Sequence, residues 1–189
     1  NHLHPESTVI ICLDELGPLA DGAAGVNALS LRAQRNRFPW DRAAVRQLNA
    51  VISDNRINVL HSHNTAARQY ACLAHRGARV RHIYTDHGTN VHLHGIANRI
   101  RLAFMRRNTD AYVAVSREAA LALATAEKLP LRDICVIRNG VATGHANPSD
   151  GLSRNDIRSE WGLPQESFVI GYVGRLSPEK GVDRLIRAF

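Results

Sequence analysis

Aromatic residues are scarce, at 5% of the 189 positions. A core therefore has to come from Val, Ile, Leu and Ala, and platforms for stacking nucleic-acid bases are few. Cysteine is equally sparse: Cys12, Cys72 and Cys135 are the only three. None pairs as C-x-x-C, and each lies in an apolar segment. That excludes a disulfide scaffold and predicts reduced, buried thiols in a cytoplasmic protein. No run of about 18 apolar residues suggests a transmembrane helix, and no signal-peptide pattern is visible. The P-loop spelling G-x-x-x-x-G-K-[ST] is absent, as are internal repeats and low-complexity segments. Acidic residues are in deficit, 17 against 24 Lys and Arg, for a net charge of +7. The excess favours an anionic partner: nucleotide, nucleic acid or membrane surface. Scattered arginines and the lack of a recognition motif argue against nucleic acid.

What is present is a regular alternation. Residues 8–13, T-V-I-I-C-L, read as a strand of near-continuous apolar type. Residues 26–31 are a weaker second strand. Asp41 can cap a helix with Val45, Leu48, Val51 and Ile52 on one face. A strand at 57–60, an Ala-rich helix at 65–76 ended by Gly77 and a strand at 80–85 follow. Next come a basic amphipathic helix at 95–107, a strand at 111–115, a helix at 117–128 capped by Ser116 and a strand at 134–137. This is the pattern of a parallel sheet wrapped by helices, an α/β fold. In such sheets ligands bind beyond the carboxyl ends of the strands. Those ends carry His61, Ser62, His63, Asn64, Asp86, His87, Gly88 and Ser116.

Residues 139–155 are rich in Gly, Asn, Ser and Pro and lack an apolar period, so they read as an interdomain connection. A short helix at 153–161 precedes the apolar run Phe168 to Val173, which suits a buried strand. The chain then turns at Gly174 and carries Arg175 and Lys180 across a loop. Pro178 and Glu179 open a helix with Val182, Leu185, Ile186 and Phe189 on one face. Backbone N–H groups at a helix start, with Arg and Lys beside them, make a site for a diphosphate.

The histidines allow a second chemistry. His61 and His63 share one face of an extended segment. An H-x-H pair at a strand end resembles the first ligand pair of metal-dependent hydrolases. Later strand ends offer Ser116 and Arg138, which complete no such site. On the basic helix, Ile100, Ala103 and Phe104 form one side, with Arg99, Arg101, Arg106 and Arg107 largely elsewhere. That suits either an anionic membrane surface or a core-packing helix with a solvated charged face.

The spelling G-R-L-S-P-E-K-G-V-D-R-L-I-R-A-F closely resembles the start of the C-terminal domain of family 4 glycosyltransferases, which have the GT-B fold. H-S-H-N, T-D-H-G, V-A-V-S and I-R-N-G-V, in this order, resemble successive strand ends of that family's N-terminal domain. The resemblance covers residues 9–189. It implies a Rossmann-like parallel sheet with flanking helices over 1–141, a linker over 142–155 and the start of a nucleotide-sugar-binding domain over 156–189. It implies retaining transfer of a hexose from a UDP- or GDP-sugar to a glycan or lipid-linked acceptor, in cell-envelope or exopolysaccharide synthesis. The nucleotide-sugar is then a substrate, and neither cofactor nor metal is expected. Gly174, Arg175 and Lys180 would hold the donor diphosphate, and His87 would be the catalytic-cleft histidine. His63, Asn64, Ser116 and Asn139 would line the acceptor side, with peripheral contact to the inner face of a membrane through the basic helix.

Three departures qualify this expectation. The family's first strand and Gly-rich loop do not precede Asn1. Ala142 stands where the family usually has Asp after N-G-V. The glutamates of the C-terminal domain would fall beyond Phe189. Both chain ends read as cut. Strands flanking the missing one would lack partners, so the chain alone is expected to be inactive and poorly folded. A metal-dependent hydrolase using His61 and His63, a non-catalytic relative and an isomerase of the same fold are the alternatives.

Overall fold

The structure is a computed structural model and describes residues 7–17, 25–34, 40–74, 80–88, 95–141 and 153–189. The chain divides into two compact units, Asn1–Asn139 and Gly140–Phe189.

The first unit alternates strands and helices: β1 (Val9–Cys12), β2 (Asn27–Ser30), α1 (Arg42–Asp54), β3 (Val59–His63), α2 (Asn64–Ala74), β4 (Arg81–Asp86), α3 (Ile96–Arg107), β5 (Ala111–Ala114), α4 (Arg117–Glu127) and β6 (Ile134–Val136). Every pairing is parallel. Among the described residues β1 and β2 form one ladder, and β3, β4, β5 and β6 form a second sheet in that order. The α/β class expected from the sequence is the one found. The strand at residues 57–60 lies further along, so His61 and His63 sit within β3 rather than beyond it.

The helices start where the sequence supplies a side-chain acceptor. Asp41 accepts from the backbone N–H groups of Ala43 and Ala44, and Ser116 accepts from that of Ala119. The apolar face of α1 buries Ala44, Leu48 and Ile52 against Leu60, Tyr70, Ala71 and Val80. Burying Leu48 and Ile52 stabilises the unit by about 1.5–3 kcal/mol each. A second cluster joins Tyr84, Tyr112 and Ala114 of the sheet to Ala119, Ala120 and Leu123 of α4.

Two expectations change here. Cys72 is buried, but Cys12 is half-buried and Cys135, on β6 at the edge of the described sheet, is exposed. Burial pushes the Cys72 thiol up to about 11, so it is inert at neutral pH. On α3 the packed side is Met105, with Leu102 and Phe104 half-buried, whereas Ile100 and Ala103 face solvent. Arg101 donates to Gln69 and Arg106 to the carbonyl of Glu127, so two of the four arginines are tied to the protein.

The second unit holds α5 (Arg154–Glu160) and α6 (Val182–Ala188). A reciprocal cap between Ser153 and Asp156 opens α5. Arg158 at its end gathers the following loop by donating to the carbonyls of Pro164, Gln165 and Ser167. The strand expected at Phe168–Val173 is absent: no ladder forms there among the described residues, and Phe168 and Val173 are exposed. A strand exists only through hydrogen bonds to a neighbour, and among the described residues this segment pairs with none. The helix expected from Pro178 starts later, at Val182, after a 3-10 turn over Pro178–Lys180. Val182 and Leu185 are half-buried, while Ile186 and Phe189 are exposed.

Candidate functional site

The site in the first unit follows from sheet register. His63 of β3 pairs with Thr85 of β4. Side chains alternate along strands, so His61, His63, Thr85 and His87 share one face and Ser62, His82, Tyr84 and Asp86 the other. On the first face His61 Nε2 lies 2.7 Å from Thr85 Oγ1, and His63 Nδ1 lies 2.9 Å from His87 Nε2. The three rings form a row, with centroids 4.4 Å apart for His61–His63 and 5.2 Å for His63–His87. Burial, then the charge of His87, holds His61 below its ordinary value. Burial, then the charges of His61 and His87, does the same to His63. Both rings are therefore neutral at pH 7.

The opposite face anchors this row. Asp86 is buried; its Oδ1 accepts from the Tyr84 hydroxyl at 3.0 Å and its Oδ2 from the Gly88 backbone N–H at 3.1 Å. These bonds fold D-H-G into a tight turn in which Gly88 has φ 76. A Cβ on Gly88 would sit 3.9 Å from that of Ala119, so the loop lies over the first turn of α4. Deeper still, Ser62 Oγ meets His82 Nε2 at 2.8 Å, and His82 Nδ1 donates to the carbonyl of Asn108 at 2.7 Å. His82 is fully buried, so this Ser–His pair is a strut without access to a substrate.

The residues singled out in the sequence are distributed unevenly. His63 and His87 are in contact, and Asn64, at φ 69, is the pivot from β3 into α2. Ser116 spends its oxygen on the α4 cap beside the Gly88 turn. Asn139 is exposed at the end of the first unit, past β6. Gly174, Arg175 and Lys180 belong to the second unit. There the Tyr172 hydroxyl donates to the carbonyl of Arg175 at 2.8 Å, and a Cβ on Gly174 would lie 2.6 Å from that hydroxyl. Gly174 thus permits the close approach that shapes the start of the loop. Lys180 is exposed in the 3-10 turn, which closes on Gly181 at φ 65.

Nothing local to Asp86 or Thr85 marks the first as a brace of the turn or the second as a partner of His61. The period-two spelling H-S-H and Y-T-D-H hinted at a shared face, but only the register between β3 and β4 pairs the individual residues. Among the described residues no group of three or more His, Cys, Asp or Glu is arranged to hold a metal ion. His61 and His63 bond to Thr85 and His87 and gain no further ligand there.

Comparison with known proteins agrees with this architecture. The profile of Glycosyltransferase Family 4 matches residues 6–145. The chain belongs to that family. It is 30% identical over 141 residues to a D-inositol 3-phosphate glycosyltransferase of Stackebrandtia nassauensis, a match covering 69% of this chain and 31% of the relative. A crystal structure of a glycosyltransferase from Rickettsia africae superposes with a TM-score of 0.69 at 18% identity, over 95% of this chain and 48% of that one. The fold is accordingly GT-B-like. The chain spans less than half the length of either relative.

Proposed function

We propose that the protein is a retaining glycosyltransferase that moves a hexose from a UDP- or GDP-sugar to an acceptor hydroxyl. The sugar C1–O bond to the diphosphate breaks, a bond from C1 to the acceptor oxygen forms, and the acceptor's proton passes to the departing nucleoside diphosphate. Arg175 and Lys180 neutralise the leaving diphosphate, which makes a bound metal unnecessary. His87 hydrogen-bonds a sugar or acceptor hydroxyl, and His63, Asn64, Ser116 and Asn139 line the acceptor side. The observation that carries this reading is His87 itself. It stands exposed at the carboxyl end of β4, held from one side by His63, in a chain whose family transfers sugars.

A panel of UDP- and GDP-hexoses with glycan, lipid-linked and D-inositol 3-phosphate acceptors tests the reading on the full-length protein. The last acceptor is chosen from the name of the Stackebrandtia relative. Transfer with retained anomeric configuration is expected, unaffected by a chelator. Lys180→Ala should lower kcat by about 10²-fold, the scale of losing one charge-stabilising donor. Near-normal turnover of that variant would refute the assignment of the loop.

The exposed side of α3 supports a role at the inner face of the cell membrane, in cell-envelope or exopolysaccharide synthesis. Ile96 and Ile100 are 76% and 66% exposed, one turn apart, with Arg99 and Arg107 exposed on the same helix. Among the described residues no helix is long and apolar enough to cross a membrane.

A further inference from the structure

We infer that His63 is a positioning residue for His87: by holding Nε2 it fixes the ring so that Nδ1 is the nitrogen His87 presents to a bound hydroxyl. The inference rests on the proposed role of His87 in sugar transfer and adds which atom acts and what orients it.

His87 follows β4 by one residue, on an exposed turn, where an unsupported imidazole would sample several rotamers. Three features remove that freedom. The backbone of the turn is held by Asp86 through Gly88. The ring of His87 lies 5.2 Å from that of His63, tilted by 37°, and is bonded to it through Nε2 at 2.9 Å. His63 is itself seated on His61, at 4.4 Å between centroids, and His61 is tied to the buried Thr85. The row is thus anchored in the sheet at one end and terminates at His87.

The chemistry of the contact selects the free atom. His63 is neutral at pH 7, so its ring has one N–H and one lone pair. In the bond between the two rings one nitrogen donates its proton and the other accepts it. Either way Nε2 of His87 is occupied. Its Nδ1 has no partner among the described residues and is the nitrogen left for a ligand. Fixing one ring nitrogen so that the other has a defined role is how outer partners tune functional histidines generally.

The test compares His63→Asn with His63→Phe in the full-length protein. The Asn amide places a polar atom where Nδ1 of the imidazole lies, whereas Phe keeps the ring shape and cannot hydrogen-bond. Nitrogen-15 spectra of histidine-labelled protein, with His87 signals assigned through His87→Gln, report the tautomer without any substrate. The unchanged protein and His63→Asn should show one His87 tautomer with Nε2 hydrogen-bonded; His63→Phe should show an averaged pair. In transfer assays His63→Phe should lose about 10- to 100-fold in kcat with little change in donor KM, and His63→Asn should recover most of it. A His87 spectrum unaltered by His63→Phe would overturn the inference, as would His63→Asn behaving like His63→Phe. If no donor is turned over by the unchanged protein, the transferase reading fails, and the spectra still decide whether His63 sets the tautomer.

Discussion

Arg68 and Glu127 meet in the interior between α2 and α4, with Nη1 of the arginine 2.5 Å from Oε1 of the glutamate and both side chains almost wholly buried. The guanidinium also stacks on Tyr84 and Tyr112, at 4.5 and 5.2 Å from the ring centroids, and donates to the Tyr112 hydroxyl and to Thr109. Burial works against its charge, but the hydrogen bond and charge of Glu127, with Tyr112 and Cys72 beside it, together raise its affinity for the proton. The pair therefore links α2 and α4 across β4 and β5.

Removing one partner should leave the other charge buried and alone. Glu127→Gln and Arg68→Met are each expected to destabilise the protein by about 3–5 kcal/mol, read from urea unfolding. Replacing both together should cost less than the sum of the two. Strict additivity would mean that the pair is not energetically coupled.

The brace beneath His87 makes a separate prediction. Asp86→Ala removes the acceptor of the buried Tyr84 hydroxyl and of the Gly88 N–H. About 1–3 kcal/mol should be lost, the cost of leaving a buried polar group unpaired. Adding Tyr84→Phe should return part of it. Equal stability of Asp86→Ala and the unchanged protein would show that the turn is held by something else.

Acidification should destabilise the histidine row. The ordinary value for both His61 and His63 is 6.5, and both are lowered in the folded state. The unfolded chain then binds more protons below that pH. Stability contributed by these rings is fully present above about 6.5 and is lost as pH falls through the lowered folded values. Unfolding free energy measured from pH 7.5 to 5 should fall more steeply in the unchanged protein than in His61→Gln/His63→Asn. Parallel curves would mean that these rings do not titrate between the two states.

The outer face of α3 predicts membrane contact. Ile100→Asp in the full-length protein should weaken co-sedimentation with phosphatidylglycerol vesicles by roughly tenfold, the equivalent of losing one inserted aliphatic side chain. Binding should also weaken with salt, because the remaining attraction is electrostatic. Vesicle binding indifferent to both changes would leave this face without a role at membranes.

The alternation of strands and helices is written locally in the amino-acid sequence. Apolar runs and the caps at Asp41 and Ser116 are local signals, and each acts within a few residues of where it is written. The sequence also carried the family, through short spellings at successive strand ends. Pairing, by contrast, comes from the fold. Nothing near His63 specifies that Thr85 lies beside it; the register of β3 on β4 does, and it sets His63 against His87. The same holds for Arg68 and Glu127, 59 residues apart. It holds in reverse for Phe168–Val173, whose apolar spelling suits a strand while no neighbour among the described residues completes one. Local propensity is a property of the chain, whereas a ladder, a buried ion pair or a row of imidazoles exists only between segments that folding brings together.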